Sequence, residues 1–164
     1  MVIQFVLEAI QMSENFLAIK LFDDGAAAYL RNDFKASIEL FSRALKHDRK
    51  FALVYLNRGA AYLKLNKIKS AISDFTRATR LNPAYARAFH LRGLAYEMTG
   101  EVARAYRDFD RAIEIDPDLA AAYCSRDSVL DKKVDDRREI EDFDLADHLA
   151  AMRVALLTGE KVAA

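Results

Sequence analysis

The sequence has few residues that break helices or cross-link chains: no tryptophan, one cysteine, two prolines and five glycines in 164 residues. A lone cysteine, Cys124, cannot form an internal disulfide, which excludes a disulfide-stapled scaffold and favours a reducing, cytoplasmic compartment. Alanine, leucine, lysine, arginine and glutamate are abundant, and with so few breakers they favour helices. The composition therefore predicts an all-α protein of one domain.

An excess of charge is also lacking, because 25 basic residues balance 25 acidic ones. That balance gives no global attraction to nucleic acid or to an anionic membrane, so we expect neither as a partner. The apolar start MVIQFVLEAIQM lacks the basic region of a signal peptide, contains Glu8 and is too short to span a bilayer. The charge is uneven along the chain: residues 52–85 contain six basic residues and one acidic residue, whereas residues 120–164 contain seven basic and ten acidic residues. This asymmetry suggests an acidic partner segment near 52–85, or head-to-tail contacts between copies.

The sequence repeats itself at one constant interval. When the sequence is aligned with itself at a shift of 34 residues, Gly25, Gly59 and Gly93 fall in one column, and Pro83 and Pro117 fall in another. Further columns hold Phe41, Phe75, Phe109 and Phe143; Ala44, Ala78, Ala112 and Ala146; and Leu21, Tyr55, Phe89 and Tyr123. Matching columns without an insertion indicate an array of equivalent structural units.

The pattern resembles the tetratricopeptide repeat (TPR), a helix–turn–helix unit of about 34 residues with a large residue, then Gly, Tyr, Ala, Phe and a closing Pro. The best copy consists of Tyr55, Gly59, Tyr62, Ala71, Phe75, Ala78 and Pro83. The resemblance implies a right-handed superhelical α-solenoid with repeats at 18–51, 52–85 and 86–119. It also implies a degenerate fourth repeat at 120–157, preceded by a helical segment at 1–17 and followed by a tail at 158–164.

The local pattern supports this division. Apolar residues recur at helical spacing on both sides of a turn, and Asn32, Asn66 and Gly100 stand where a helix would end in a left-handed conformation. Gly59 has no Cβ, so we expect the partner helix to approach closely there, with Phe75 filling the adjacent space.

Both ends of the array depart from the pattern. Asp127 replaces the repeated glycine in 120–157, and since an Asp in a dry helix contact is costly, we expect it to stay in water. We predict a capping helix from about Arg137 to Leu157. At the other end, 1–17 occupies the frame of a second helix from a missing repeat, which places Ile3, Leu7 and Ile10 at core columns. Ser13 would then cap the helix that follows.

The TPR resemblance also implies a binding surface, because in that family the first helices of successive repeats line a concave groove. The partner-binding positions carried over to this sequence are Phe22, Ala26, Tyr29, Leu53, Leu56, Asn57, Ala60, Lys64, Arg87, His90, Leu91, Leu94 and Met98. Most are apolar, and an exposed apolar surface usually marks an interaction site. The alternative is that the chain's own N-terminal segment covers this surface.

Some TPR proteins use a clamp of five polar residues to hold the C-terminal carboxylate of heat-shock chaperones. This sequence has Asn57 and Arg87 at two of the five places, and Phe22, Ala26 and Leu91 at the other three. The carboxylate clamp is therefore not expected. Asn57, Lys64 and Arg87 suggest a smaller polar site that could take a carboxylate.

No metal, cofactor or catalytic motif is present in the sequence. His90 and Cys124 occupy equivalent positions in adjacent repeats, and a thiol beside an imidazole can be activated, but an accidental pairing in a binding surface is the simpler interpretation. We therefore expect a protein that is not an enzyme and needs no cofactor.

Two classes of function remain open. The leading hypothesis is a non-catalytic module that binds a peptide or helix of a partner protein in the groove, as an adaptor or co-chaperone does. A secretion-type chaperone that holds hydrophobic client segments is one version of it. The alternative is a self-assembling structural protein that forms homo-oligomers through residues 1–13.

Overall fold

A computed structural model describes residues 2–132, and the predicted capping helix and tail lie outside these residues. Side chains are described for residues 3, 4 and 12–130. The described chain forms seven helices and no strand: α1 (Val2–Leu30), α2 (Phe34–His47), α3 (Ala52–Lys64), α4 (Ile68–Leu81), α5 (Ala86–Thr99), α6 (Val102–Ile115) and α7 (Ala120–Lys132). Each helix packs on the next along the chain. The all-α solenoid predicted from the sequence is confirmed.

The turns inside the helix pairs form where the sequence places Asn or Gly. Asn32, Asn66 and Gly100 have positive φ values of 63°, 56° and 78°. Behind them, the N–H groups of Asp33, Lys67 and Glu101 donate to the carbonyls of Ala28, Tyr62 and Tyr96 at 2.9–3.0 Å. These bonds satisfy carbonyl groups that a helix end leaves unpaired, and they reverse the chain in three residues or fewer. Each pair is therefore antiparallel.

The core of each pair is a contact between a glycine and a phenylalanine. Phe41, Phe75 and Phe109 are fully buried, and their rings lie against Gly25, Gly59 and Gly93. A Cβ added at these glycines would lie 2.7, 2.6 and 2.5 Å from the Cε1 atom of the facing ring. Such separations are far below van der Waals contact, so any larger residue at these positions would force the ring or the helices to move. The close approach expected at Gly59 is confirmed.

The N-terminal prediction is wrong in one respect, because α1 runs without interruption from Val2 to Leu30. Ser13 is an exposed residue inside this helix and not its cap, and Ile3 is 78 % exposed rather than part of a core. The physical reason is that residues 11–17 contain no Gly or Pro, so nothing ends the helix before it reaches the first repeat. Contact between Glu14 and His47, the last residue of α2, marks where the paired part of α1 begins.

Asp127 lies on α7 with its side chain 66 % exposed, as predicted. Asp127 therefore remains hydrated at the repeat position where the three preceding units have a glycine packed against a phenylalanine.

Gly93→Ala tests the glycine contact. We expect it to lower the free energy of unfolding by about 1–3 kcal/mol, because the new Cβ would overlap the Phe109 ring. Without that overlap, the same change would stabilise the helix by about 1 kcal/mol. The sign of the change in the free energy of unfolding therefore shows whether the contact is as close as described. Urea unfolding followed by circular dichroism measures it. Asp127→Ala is the matched control, and at this exposed site the change should stay within about 0.5 kcal/mol.

Candidate functional site

The first helices of the pairs define the inner side of the solenoid. Within the described residues, α1 approaches α3, α3 approaches α5 and α5 approaches α7, whereas α2, α4 and α6 make no contacts of similar extent with one another. In a curved stack, the elements that approach most closely lie on the inside of the curve. We call the surface formed by α1, α3 and α5 on this side the concave groove.

Most of the predicted groove residues are half-buried there, between adjacent helices. Leu53 and Leu91 pack against the same core cluster from α3 and α5, and Leu94 packs against the next one. Phe22 stacks at a tilt against Phe41 and Phe51, with ring centroids 5.8 and 5.4 Å apart. The remaining half-buried groove residues are Ala26, Tyr29, Asn57, Ala60 and His90.

Leu56 requires a correction. It is only 3 % exposed and belongs to the cluster of Phe75, Ala78 and Ala88, so it is a core residue rather than a lining residue of the groove. Its neighbour Leu53 is one turn away and remains partly exposed. Sequence position identifies the side of a helix, but neighbouring helices decide how far each side chain on that side is covered.

The polar site expected from Asn57, Lys64 and Arg87 is not assembled. Lys64 is the last residue of α3, and Arg87 is the second residue of α5. Because α3 and α5 run in the same direction, these cations are separated along the groove by about eleven residues, or about 16 Å. The Asn57 amide donates to the Leu53 carbonyl of its own helix at 2.8 Å. Lys64, Arg87 and Met98 are exposed at the two ends of the groove.

The suggested pairing of His90 with Cys124 is replaced by another contact. The Nε2 atom of His90 forms a hydrogen bond with the Ser125 hydroxyl at 3.1 Å, and Cys124 is an exposed free cysteine. Burial lowers the pKa of His90, a backbone hydrogen bond at Ala121 opposes this effect, and the positive charge of Arg87 lowers the pKa further. His90 is therefore neutral at neutral pH and joins α5 to α7.

Sequence reasoning missed a second repeated constellation, which is built on the arginine that precedes the repeated glycine in the second and third repeats. Arg58 donates to both carboxylate oxygens of Asp74 at 2.7 and 2.8 Å, and Arg92 donates to both oxygens of Asp108 at 2.7 Å. Each pair joins the first and second helices of one repeat. The side chains of Arg92 and Asp108 are only 16 % and 8 % exposed, so these are largely buried ion pairs with bidentate geometry.

Each arginine also reaches back to the preceding repeat. Arg58 donates to the Ser42 hydroxyl at 3.0 Å, and Arg92 donates to the Thr79 hydroxyl at 3.1 Å. Arg126, at the equivalent position of α7, donates to the Asp110 carboxylate at 3.2 Å. We call these three arginines the arginine column. The column therefore joins successive repeats as well as the two helices of one repeat.

Aromatic rings hold the guanidinium groups in place. The Arg92 guanidinium carbon lies 5.4 Å from the centre of the Phe89 ring and 5.9 Å from that of Tyr96. Burial works against the charge on Arg92, but hydrogen bonding and attraction to Asp108 outweigh it, so the pKa of Arg92 rises above its ordinary value. Arg92 therefore remains charged at neutral pH.

The described residues contain no group of three or more His, Cys, Asp or Glu side chains suited to a metal ion. In the same part of the chain, no helix has the length and apolar character needed to cross a membrane.

Helix pairs that recur at a constant interval, stacked with their first helices inside, define an α-solenoid of helix–turn–helix repeats. The family model described as tetratricopeptide repeat matches residues 22–75 and 56–120, which together cover more than half of the chain. The chain belongs to the tetratricopeptide repeat family. No curated protein matches it.

Solved TPR domains have the same fold. The second TPR domain of the human RPAP3 protein, in complex with the HSP70 peptide SGPTIEEVD, is 30 % identical to this chain with a TM-score of 0.70, covering 73 % of this chain and 99 % of its own. The second TPR of Spaghetti (RPAP3), bound to the HSP90 peptide SRMEEVD, is 30 % identical with a TM-score of 0.64, covering 66 % and 99 %. The Arabidopsis OM64 TPR domain is 24 % identical with a TM-score of 0.71, covering 73 % and 99 %.

Arg92→Leu tests the buried pair. We expect it to cost about 3–5 kcal/mol in the free energy of unfolding, because Asp108 would be left buried without a partner. Adding Asp108→Leu should recover part of this loss. The first repeat supports this expectation, because it has Leu40 at the equivalent position and Leu40 packs against its core.

Urea unfolding of the two single variants and the double variant measures the coupling between Arg92 and Asp108. Arg111→Gln is the matched control: its partner Glu114 is exposed on the same helix, so the loss should stay below about 1 kcal/mol. If the double variant is as unstable as the sum of the two single variants, the pair is not coupled and our interpretation is wrong.

Proposed function

We propose that this chain is a non-catalytic interaction module that binds a peptide or helix of a partner protein in its concave groove. The observation that carries the proposal is the chemistry of the inner side: Phe22, Leu53, Leu91 and Leu94 are half-buried there, and Met98 is exposed at one end. A partner that covered these side chains would remove further apolar surface from water. The peptide complexes of related TPR domains support the proposal.

The occupant that fits this groove is an apolar segment. Ala26 and Ala60 provide small surfaces where a peptide backbone could approach, and the neighbouring leucines would contact its side chains. In contrast, Phe22 stands at a clamp position where a cation is needed and is packed between Phe41 and Phe51. The groove therefore lacks a cation at this clamp position, and we expect it to bind apolar side chains along the peptide instead.

Cys124 offers a direct measurement. It is the single cysteine of the sequence, it is exposed, and it stands at the same position of its repeat as His90. An environment-sensitive dye attached to Cys124 would therefore report on ligands that enter the groove. We would select peptides from a random displayed library on the unmodified protein and then titrate each into the dye-labelled protein.

We expect selection of peptides with recurring apolar residues, a change in dye emission on binding, and no change with the peptide SRMEEVD. Ala60→Glu with Met98→Glu should weaken binding about tenfold or more, because a charge would face apolar side chains. Lys35→Glu with Lys69→Glu, on the exposed faces of α2 and α4, is the control pair and should leave binding unchanged. If the control pair weakens binding and the groove pair does not, the groove assignment is wrong. The selected sequences also test whether the occupant resembles a hydrophobic client segment of a secretion-type chaperone.

A second candidate function, self-assembly, rests on the N-terminal part of α1. The helix pair ends where Glu14 meets His47, so residues 2–13 extend about 18 Å beyond α2. Met12, Phe16 and Ile19 are 72, 71 and 50 % exposed. Their spacing of four and three residues places them on one face of α1, which forms an apolar stripe that a second copy could cover.

Light scattering tests this candidate. If the stripe joins two copies, the protein has at least twice the mass of one chain, and Met12→Glu with Phe16→Glu returns it to one chain. Ser13→Glu, an exposed residue on another face of the same helix, is the control and should keep the larger mass. An unmodified protein with the mass of one chain would exclude assembly through this stripe.

A further inference from the structure

A second groove, separate from the concave groove, lies on the outer side of the solenoid. Because α4 and α6 stand apart while α5 lies behind them, a cavity of about 450 Å³ opens between the three helices. Its charged lining consists of Arg92, Arg104, Arg107, Arg111 and Asp108. Four cations thus surround one carboxylate, and that carboxylate already receives two hydrogen bonds from Arg92.

A second cavity of about 400 Å³ lies beside the first. It is lined by Arg58, Arg77 and Arg80 with one carboxylate, Asp74, which Arg58 binds. Thr76 of α4 lines both cavities, so the first, beside α6, and the second, beside α3, adjoin and form one surface. We call this surface the outer groove, and its charged lining contains seven arginines and two aspartates.

Several of these arginines are available to a ligand. Arg104 and Arg111 have exposed side chains, and each forms its ion pair, with Glu101 and Glu114 respectively, over only three residues of the sequence. Exposed pairs of this kind contribute little and exchange readily with water or another anion. Arg77 and Arg80 are exposed on α4, and among the described residues neither has an ionic partner. The floor of the groove, in contrast, is fixed by the paired Arg58 and Arg92.

We propose that the outer groove binds an acidic peptide segment of a partner protein through its glutamate or aspartate side chains. Arginine suits this task because its planar guanidinium group can donate two parallel hydrogen bonds to one carboxylate. Arg104, Arg107 and Arg111 follow one another at intervals of three and four residues, so they share a face of α6 and extend over about 10 Å. On an extended peptide, carboxylates at alternate positions share one face and recur about every 7 Å, so two of them fall within this span.

The charges around the groove favour a peptide over a nucleic acid. Glu101 and Glu114 lie beside Arg104 and Arg111, and the chain has no net positive charge to attract a polyanion from a distance. A peptide with a few spaced carboxylates can place them against arginines only, whereas a continuous phosphate backbone would also pass the glutamates. The net charge of +5 in residues 52–85 arises in part from Arg77 and Arg80 of this groove.

The test uses a fluorescein-labelled dodecapeptide of alternating Glu and Ser, and the same peptide with Gln in place of Glu. Fluorescence anisotropy should show binding of the Glu peptide only, with affinity falling as salt is raised. Arg77→Gln, Arg104→Gln and Arg111→Gln together should weaken binding about tenfold or more, because three charged donors are lost. Lys20→Gln, Arg31→Gln and Lys35→Gln remove the same charge from exposed sites elsewhere and should change affinity less than about twofold.

Four results would overturn the proposal. One is that the Glu peptide does not bind, even if the reason is that a second copy of this chain already occupies the groove. Another is that both triple variants weaken binding of the Glu peptide equally, which would show a general electrostatic attraction and no specific site. The third is tighter binding of a single-stranded oligonucleotide that only the groove variant loses. The dye on Cys124 should not respond to the Glu peptide, and a response would place that peptide in the concave groove. Circular dichroism confirms that each variant is folded.

Discussion

The contact between a glycine of one helix and a phenylalanine of the next sets the geometry of this molecule. Where Gly25, Gly59 and Gly93 meet the rings of Phe41, Phe75 and Phe109, the ring on one helix lies directly against the backbone of the other. That close approach leaves room for only one shape of helix pair, and the same pair recurs at a constant interval along the chain. Inner and outer surfaces follow from stacking such pairs, since identical units placed side by side with a constant offset produce a curved array.

Charge is organised around this apolar contact in two layers. The inner layer is the arginine column, whose members are paired with carboxylates and flanked by aromatic rings, and are largely buried in the second and third repeats. The outer layer consists of arginines on α4 and α6 that are exposed and weakly paired. A buried pair of this kind adds little net stability compared with apolar packing, but it specifies which surfaces meet, because a wrong register would leave a charge without its partner. The arrangement therefore combines a precise stack with a face that keeps its positive charge available.

The sequence predicted the repeated elements well, because their causes are local. Asn66 and Gly100 indicate the turns through their tolerance of positive φ, and Gly59 with Phe75 indicates the close contact. The continuity of α1 was missed because a repeat frame predicts a boundary near residue 17, whereas only a breaking residue would create one.

Two further features depend on neighbours that are distant along the chain. Leu56 was misplaced because its burial depends on the neighbouring repeat. The pair of Arg58 and Asp74 was missed because a turn and about half of each helix separate its members, although both recur one repeat later as Arg92 and Asp108.

The pairing within repeats bears on how an array of this kind can change its length. Arg58 meets Asp74 inside one unit, and Arg92 meets Asp108 inside the next, so each unit balances its own buried charge. The hydrogen bonds that these two arginines donate to the preceding unit are accepted by hydroxyl groups. When a neighbouring unit is absent, water can replace these bonds. Gain or loss of a whole unit by gene duplication or deletion would therefore leave no buried ion stranded, whereas a break inside a unit would. The modularity of the array is electrostatic as well as geometric.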